Sequence, residues 1–197
     1  MIRRAALAAA VIAALAPATA HAGDAAGLDA VVQAALAEPG DPVQLGVWLG
    51  APTGAPIYQL AATRAMPAAS VVKTAILVEL FAAHAGHLDD PLGAAADAVL
   101  ADDKHPAMAP FSAAQRKEVR AGLQGATTRR VGAIMMGSQR ASNAVYNGAA
   151  SLAIASLGGP ARLTAALRAR DPAFGGVAIG RYMLAARTPS DNTATPA

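Results

Sequence analysis

The chain has 197 residues, room for one core of ordinary size. Hydrophobic residues make up 54% of it but aromatics only 4%, and more than one residue in four is alanine, a composition suited to close-packed helices and not to disorder. No cysteine is present, which excludes a disulfide framework, thiol chemistry and a cysteine zinc site; 16 Lys+Arg stand against 13 Asp+Glu, nearly balanced once the two arginines of the leader are set aside, so the basic pI argues for no nucleic-acid partner.

Arg3 and Arg4 precede an apolar run from Ala5 to Leu15, followed by Pro17 and Ala20-His21-Ala22. That is the pattern of a secretory signal peptide over residues 1–22, cleaved before Gly23. The run is too short to span a bilayer, and no later stretch is long and apolar enough. The expectation is a secreted or periplasmic protein with no transmembrane anchor after cleavage; an uncleaved anchor is the alternative. Asp24 can cap a helix to Ala37, with Leu28, Val31, Val32 and Leu36 at helical spacing and Pro39-Gly40 as its stop. Val43 to Leu49 alternates like a half-buried strand, Ala51-Pro52-Thr53-Gly54 is turn chemistry and Pro56 to Leu60 returns, which predicts a hairpin with Trp48 in the core. Helices are then predicted over 70–85, 91–101, 112–123, 127–137, 141–157 and 160–169, with Pro160 at a first turn. The tail from Asp171 to Ala197 has no clear period and is predicted as a loop. Neither an internal repeat nor a coiled-coil register is visible.

The segment that carries chemistry is Met66-Pro67-Ala68-Ala69-Ser70-Val71-Val72-Lys73-Thr74-Ala75-Ile76-Leu77. A serine opens an apolar helix and a lysine follows three residues later, on the same face about one turn away. A serine hydroxyl is a poor nucleophile until something takes its proton. A lysine among Val71, Val72, Ala75, Ile76, Leu77 and Leu80 has its ammonium form disfavoured, so a neutral amine able to accept that proton becomes feasible. The helix start also offers the Ser70 backbone N–H to a developing oxyanion. The alternative is that Ser70 is an N-cap and Lys73 a solvated helix residue.

On this S-x-x-K segment the chain resembles the serine β-lactamase and penicillin-binding superfamily, most closely the class A β-lactamases and related serine hydrolases. The likeness extends in order over residues 23–197: helix, hairpin, nucleophile helix, helical middle, Gly158-Gly159-Pro160-Ala161-Arg162-Leu163-Thr164, and Asp191-Asn192-Thr193-Ala194-Thr195-Pro196. The resemblance implies an α/β (α+β) fold, a helical subdomain with a mixed antiparallel sheet. It also implies acyl transfer, in which Ser70 attacks a β-lactam or a D-alanyl-D-alanine amide and Lys73 takes its proton. The family's S-x-N motif, which supplies a proton-transfer hydroxyl and an amide that holds substrate, falls in one register on Ala141, Ser142 and Asn143. In the other it falls on Val145, Tyr146 and Asn147. Ser142 as a catalytic hydroxyl with Asn143 orienting substrate is the assignment taken, with a Tyr146 phenol as an alternative; an ordinary polar helix start is the competing reading.

Two further departures bear on activity. After the Arg181-Tyr182 pair, where class A enzymes carry a deacylating glutamate, stands Met183, and all three glutamates, Glu38, Glu79 and Glu118, lie earlier. No lysine precedes Thr-Gly or Ser-Gly, so the K-T-G strand is missing, and the domain is expected to lack its C-terminal strands and helix, with an incomplete sheet. The competing expectations are a penicillin-binding protein or D-alanyl-D-alanine peptidase, a truncated non-catalytic remnant, and a structural helical protein. Neither metal nor cofactor is implied, and a monomer is expected. His84-x-x-His87 with Asp89-Asp90 is a weaker metal candidate that straddles the helix end at Gly86, and Arg129-Arg130 and Arg168-Ala169-Arg170 read as solvated faces.

Overall fold

The computed structural model describes residues 22–37, 45–50, 55–186 and 191–197, which form two compact units. The predicted signal peptide up to His21, the Pro39-Gly40 stop and the turn at 51–54 lie outside the described residues. Among the described residues the architecture is mixed α+β, several helices with two small antiparallel sheets. No helix among them is long and apolar enough to cross a membrane.

The first unit takes in residues up to Arg64 together with 196–197. It holds α1 (Ala22–Leu36) and the expected hairpin, β1 (Val47–Leu49) against β2 (Tyr58–Leu60), in the register Val47↔Leu60, Trp48↔Gln59 and Leu49↔Tyr58. The Tyr58 hydroxyl donates to Asp29 Oδ1 at 3.1 Å and ties α1 to β2. Trp48, expected in the core, is only half-buried, its indole lying over the position that a Cβ on Gly50 would take.

The second unit, Ala65–Thr195, contains the main core. Its chain runs from β3 (Met66–Pro67) through a 3-10 turn (Ala69–Val71) into α2 (Val72–Ala83), then α3 (Ala94–Ala101), α4 (Ala113–Leu123), α5 (Thr128–Met135), α6 (Asn143–Ser156) and α7 (Pro160–Arg170). Local chemistry sets these boundaries. Ser112 and Gln115 form a reciprocal capping box at α4, Thr127 accepts the Arg130 amide at α5, and Ser142 accepts the Val145 amide at α6. Pro160 opens α7 after Gly159 at φ +92°, while Gly93 at φ +90° delays α3 relative to its expected start at Pro91. The tail corrects the loop expectation: Thr193–Ala194 form β4, which pairs antiparallel with β3, so a second two-stranded ladder accompanies the hairpin. A two-residue strand shows no alternation for a period-two pattern to reveal.

Small residues let the helices approach closely. A Cβ on Gly148 of α6 would come within 2.8 Å of Val119 on α4, and one on Gly122 of α4 would come equally close to Val145 on α6. The pair is reciprocal, a valine from each helix seated over a glycine of the other, with no room for an added methyl. Gly132 of α5 is filled in the same way by Leu77 and Phe81 of α2. Around these contacts Ile76, Leu80, Val119, Val131, Met135, Ile154, Leu163 and Leu167 are essentially solvent-free. Glu79, buried on α2, is held bidentately by Arg170 at the end of α7, with contacts of 2.5 and 3.2 Å.

Candidate active site

Ser70 sits in the 3-10 turn that feeds α2, and Lys73 follows about one turn later as the second residue of that helix. The turn carries strain at its first residue, since Ala69 has φ +43°, a left-handed conformation that costs an alanine about 1–3 kcal/mol. Ser70 is exposed and does not cap the helix: the turn has no side-chain cap, and Ser70 Oγ makes no hydrogen bond among the described residues. Lys73 is the opposite, 1% exposed and among the largest of the fully buried side chains. Its Nζ donates to Asn147 Oδ1 at 3.1 Å and lies 3.1 Å from the centroid of the Tyr146 ring. No carboxylate among the described residues pairs with it, and burial lowers its pKa from 10.5 to about 8.

Ser70 and Asn147 line an open cavity of about 350 Å³, together with Met183, Leu184 and the Arg181–Asp191 pair. That wall is loop, and hydrogen bonds fix it. Arg181 Nε donates to Asp191 Oδ1 at 2.7 Å and its Nη1 to the Ala185 carbonyl at 2.8 Å. Asn192, 3% exposed, accepts the amides of Gly180 and Arg181 on its side-chain oxygen, and its carbonyl accepts the Ala68 amide at 2.9 Å. Asn192 therefore clamps the loop to the strand that leads into Ser70. The Met183 amide donates to the buried Ser151 hydroxyl, and Thr164 Oγ1 exchanges hydrogen bonds with both backbone groups of Ile179. A second left-handed non-glycine, Leu184 at φ +62°, lies on this wall, so both strained residues of this unit border the cavity.

Of the two motif registers, the structure brings Tyr146 and Asn147 to Lys73 and Asn147 into the cavity wall. Ser142 is elsewhere: exposed, it caps α6 and donates to Glu118 Oε2 at 2.8 Å. Asn143 is exposed too, and its side-chain and backbone oxygens each accept from Asn147 Nδ2 at 3.0 Å, so its link to the cavity is the orientation of that amide. With Nδ2 turned to Asn143, Oδ1 is left to face Lys73. Met183, which follows Arg181-Tyr182, is buried and lines the cavity.

Asp191, Asn192, Ser151 and Thr164 were not assigned roles from the sequence. Thr164 and the Asp191-Asn192 run had a signal, their places in two segments of the resemblance; a buried hydroxyl on an alanine-rich helix, as at Ser151, has none. Of the metal candidate, His87 lies 2.9 Å from Asp90 and Asp89 is held bidentately by Arg129, and no cluster of three ligating side chains occurs among the described residues. Comparison of the chain with protein-family models, curated proteins and solved structures finds no match.

Proposed function

We propose that this protein is an exported serine acyl transferase or hydrolase of the β-lactamase type, acting on a β-lactam or a D-alanyl-D-alanine amide. The observation that carries the reading is an exposed, uncapped serine at a strained turn followed one turn on by a fully buried lysine with no carboxylate partner among the described residues. A carboxylate beside Lys73 would hold its proton; the neutral Asn147 amide does not, so the amine can accept the Ser70 proton as Oγ attacks the carbonyl carbon. The proton then passes to the leaving nitrogen, the C–N bond breaks and an ester remains on Ser70. The Ser70 amide faces the developing oxyanion. Asn147, in the cavity wall, takes the substrate-orienting role first assigned to Asn143.

Hydrolysis of that ester needs an activated water. Met183 offers no base, and Asp191 is engaged by Arg181. The acyl-enzyme is therefore long-lived, which favours penicillin-binding behaviour over rapid turnover, with Lys73 as the base for slow release. Time-resolved intact mass of the protein mixed with a penicillin tests this, with the remaining drug followed in the same samples. A persistent adduct that maps to Ser70 and disappears in Ser70→Ala is the expected result. Absence of both adduct and drug loss makes the chain a non-catalytic relative.

A further inference from the structure

Tyr146 has no part in the proton transfers above, yet its ring centroid lies 3.1 Å from the Lys73 ammonium. We propose that Tyr146 is a positioning residue that holds the Lys73 amine through the face of its ring and not through its hydroxyl; the consequence for catalysis rests on the acyl-transfer reading, the contact itself does not. A cation 3.1 Å from a ring centroid sits on the negative face of the aromatic quadrupole, an attraction that is strongest where water is excluded, as it is at Lys73. Consecutive residues of α6 thus grip the amine by two neutral contacts, a ring face and an amide oxygen.

Among the described residues no charged group pairs with Lys73. Tyr146 is the sole titratable residue of α6, and Glu79, the other ionisable group on α2, is taken up by Arg170 from α7. Arg129 and Arg130 of α5, and Arg162 and Arg168 of α7, are solvent-exposed, while Arg181 and Asp191 pair with each other across the cavity wall. The ring has two effects. It stabilises the ammonium against burial, which keeps the amine from losing its proton permanently, and it fixes Nζ in place. A phenylalanine supplies the same face; an aliphatic residue supplies neither effect.

The chain contains three lysines, Lys73, Lys104 and Lys117, of which the last two are exposed, so a full-length sample labelled with carbon-13 at lysine Cε gives three methylene signals to follow by NMR. Protons over an aromatic face are shielded. The Lys73 methylene is expected upfield of the other two in the unsubstituted protein and in Tyr146→Phe, and to rejoin them in Tyr146→Leu. Its titration midpoint is expected unchanged in Tyr146→Phe and about one pH unit lower in Tyr146→Leu, because loss of the ring removes support for the charged form. An unshifted Lys73 signal in the unsubstituted protein overturns the proposal without any variant having to fold. Tyr146→Phe behaving as Tyr146→Leu overturns it in favour of the hydroxyl. A shielded Lys73 that responds as expected in a protein that never acylates Ser70 upholds the contact and sinks the acyl-transfer reading alone, whereas an acylated Ser70 beside an unshielded Lys73 does the reverse.

Discussion

Ser70 and Ser142 have the same signature in the sequence, a serine just before an apolar helix, and the fold uses them in opposite ways. Ser142 adopts extended backbone, accepts the Val145 amide and donates to Glu118, so its hydroxyl proton is taken up by α4 while its oxygen caps α6. Ser70 is already helical, because the 3-10 turn begins one residue earlier, and a residue inside a turn cannot cap it. Its hydroxyl is left without a partner among the described residues, at the edge of a cavity and three residues before a buried lysine. What separates a cap from a candidate nucleophile is one residue of backbone geometry, for which the strain at Ala69 is the cost.

The largest expected effect that tests this contrast is Ser70→Ala, which should abolish the penicillin adduct seen by intact mass; a label that survives removes Ser70 from the nucleophile role. Next comes Lys73→Met, which should slow acylation by about 10²–10⁴-fold in stopped-flow labelling. The same change should stabilise the fold. Because the folded-state pKa of Lys73, about 8, lies below the unfolded 10.5, the unfolded chain binds more protons between those values. Stability therefore rises with pH across that window, and below about pH 8 the full penalty of the buried charge is present. Lys73→Met should remove it, gaining about 3 kcal/mol in urea unfolding at pH 7 and much less near pH 10. Equal gains at both pH values would mean that packing, not charge, accounts for the change.

A smaller shift is expected from the partner amide. The acylation rate should rise with pH and reach half its maximum near pH 8, as Lys73 loses its proton. Asn147→Asp puts a carboxylate against the ammonium and should move that midpoint upward by about one unit or more. The smallest effect belongs to the cap. Ser142→Ala should leave labelling intact and lower stability by about 1 kcal/mol. Loss of labelling in that variant with a normal melting transition would return Ser142 to the site and undo the contrast.

Much of the helical unit is legible in the sequence. Apolar spacing located α2 to α7, and their ends fell near the predicted positions because Ser112, Thr127, Ser142, Gly159 and Pro160 are local signals whose meaning does not depend on distant residues. The abundance of alanine anticipated close packing, realised in the glycine–valine contacts of α4 with α6. The errors lie where partners are far apart in the chain. Trp48 has the hydrophobicity of a core residue and is half-buried. The tail looked structureless because β4 owes its existence to β3, more than a hundred residues earlier. Of the two asparagines one turn apart on α6, only packing could select Asn147 for Lys73 and leave Asn143 to orient it.

By itself the sequence determined the S-x-x-K spacing, the apolar setting of Lys73, the helical content and the absence of a glutamate after Arg181-Tyr182, since these are matters of residue type and short-range period. Tertiary structure decided which serine is free and which is a cap, which register faces the lysine, and how Asn192 clamps the cavity wall to the strand before Ser70. The register and the clamp depend on contacts between residues 70 to more than 100 positions apart, whose energies come from burial and dielectric, properties of the assembled core and not of any segment within it, while the serine contrast turns on where the backbone turn before α2 begins.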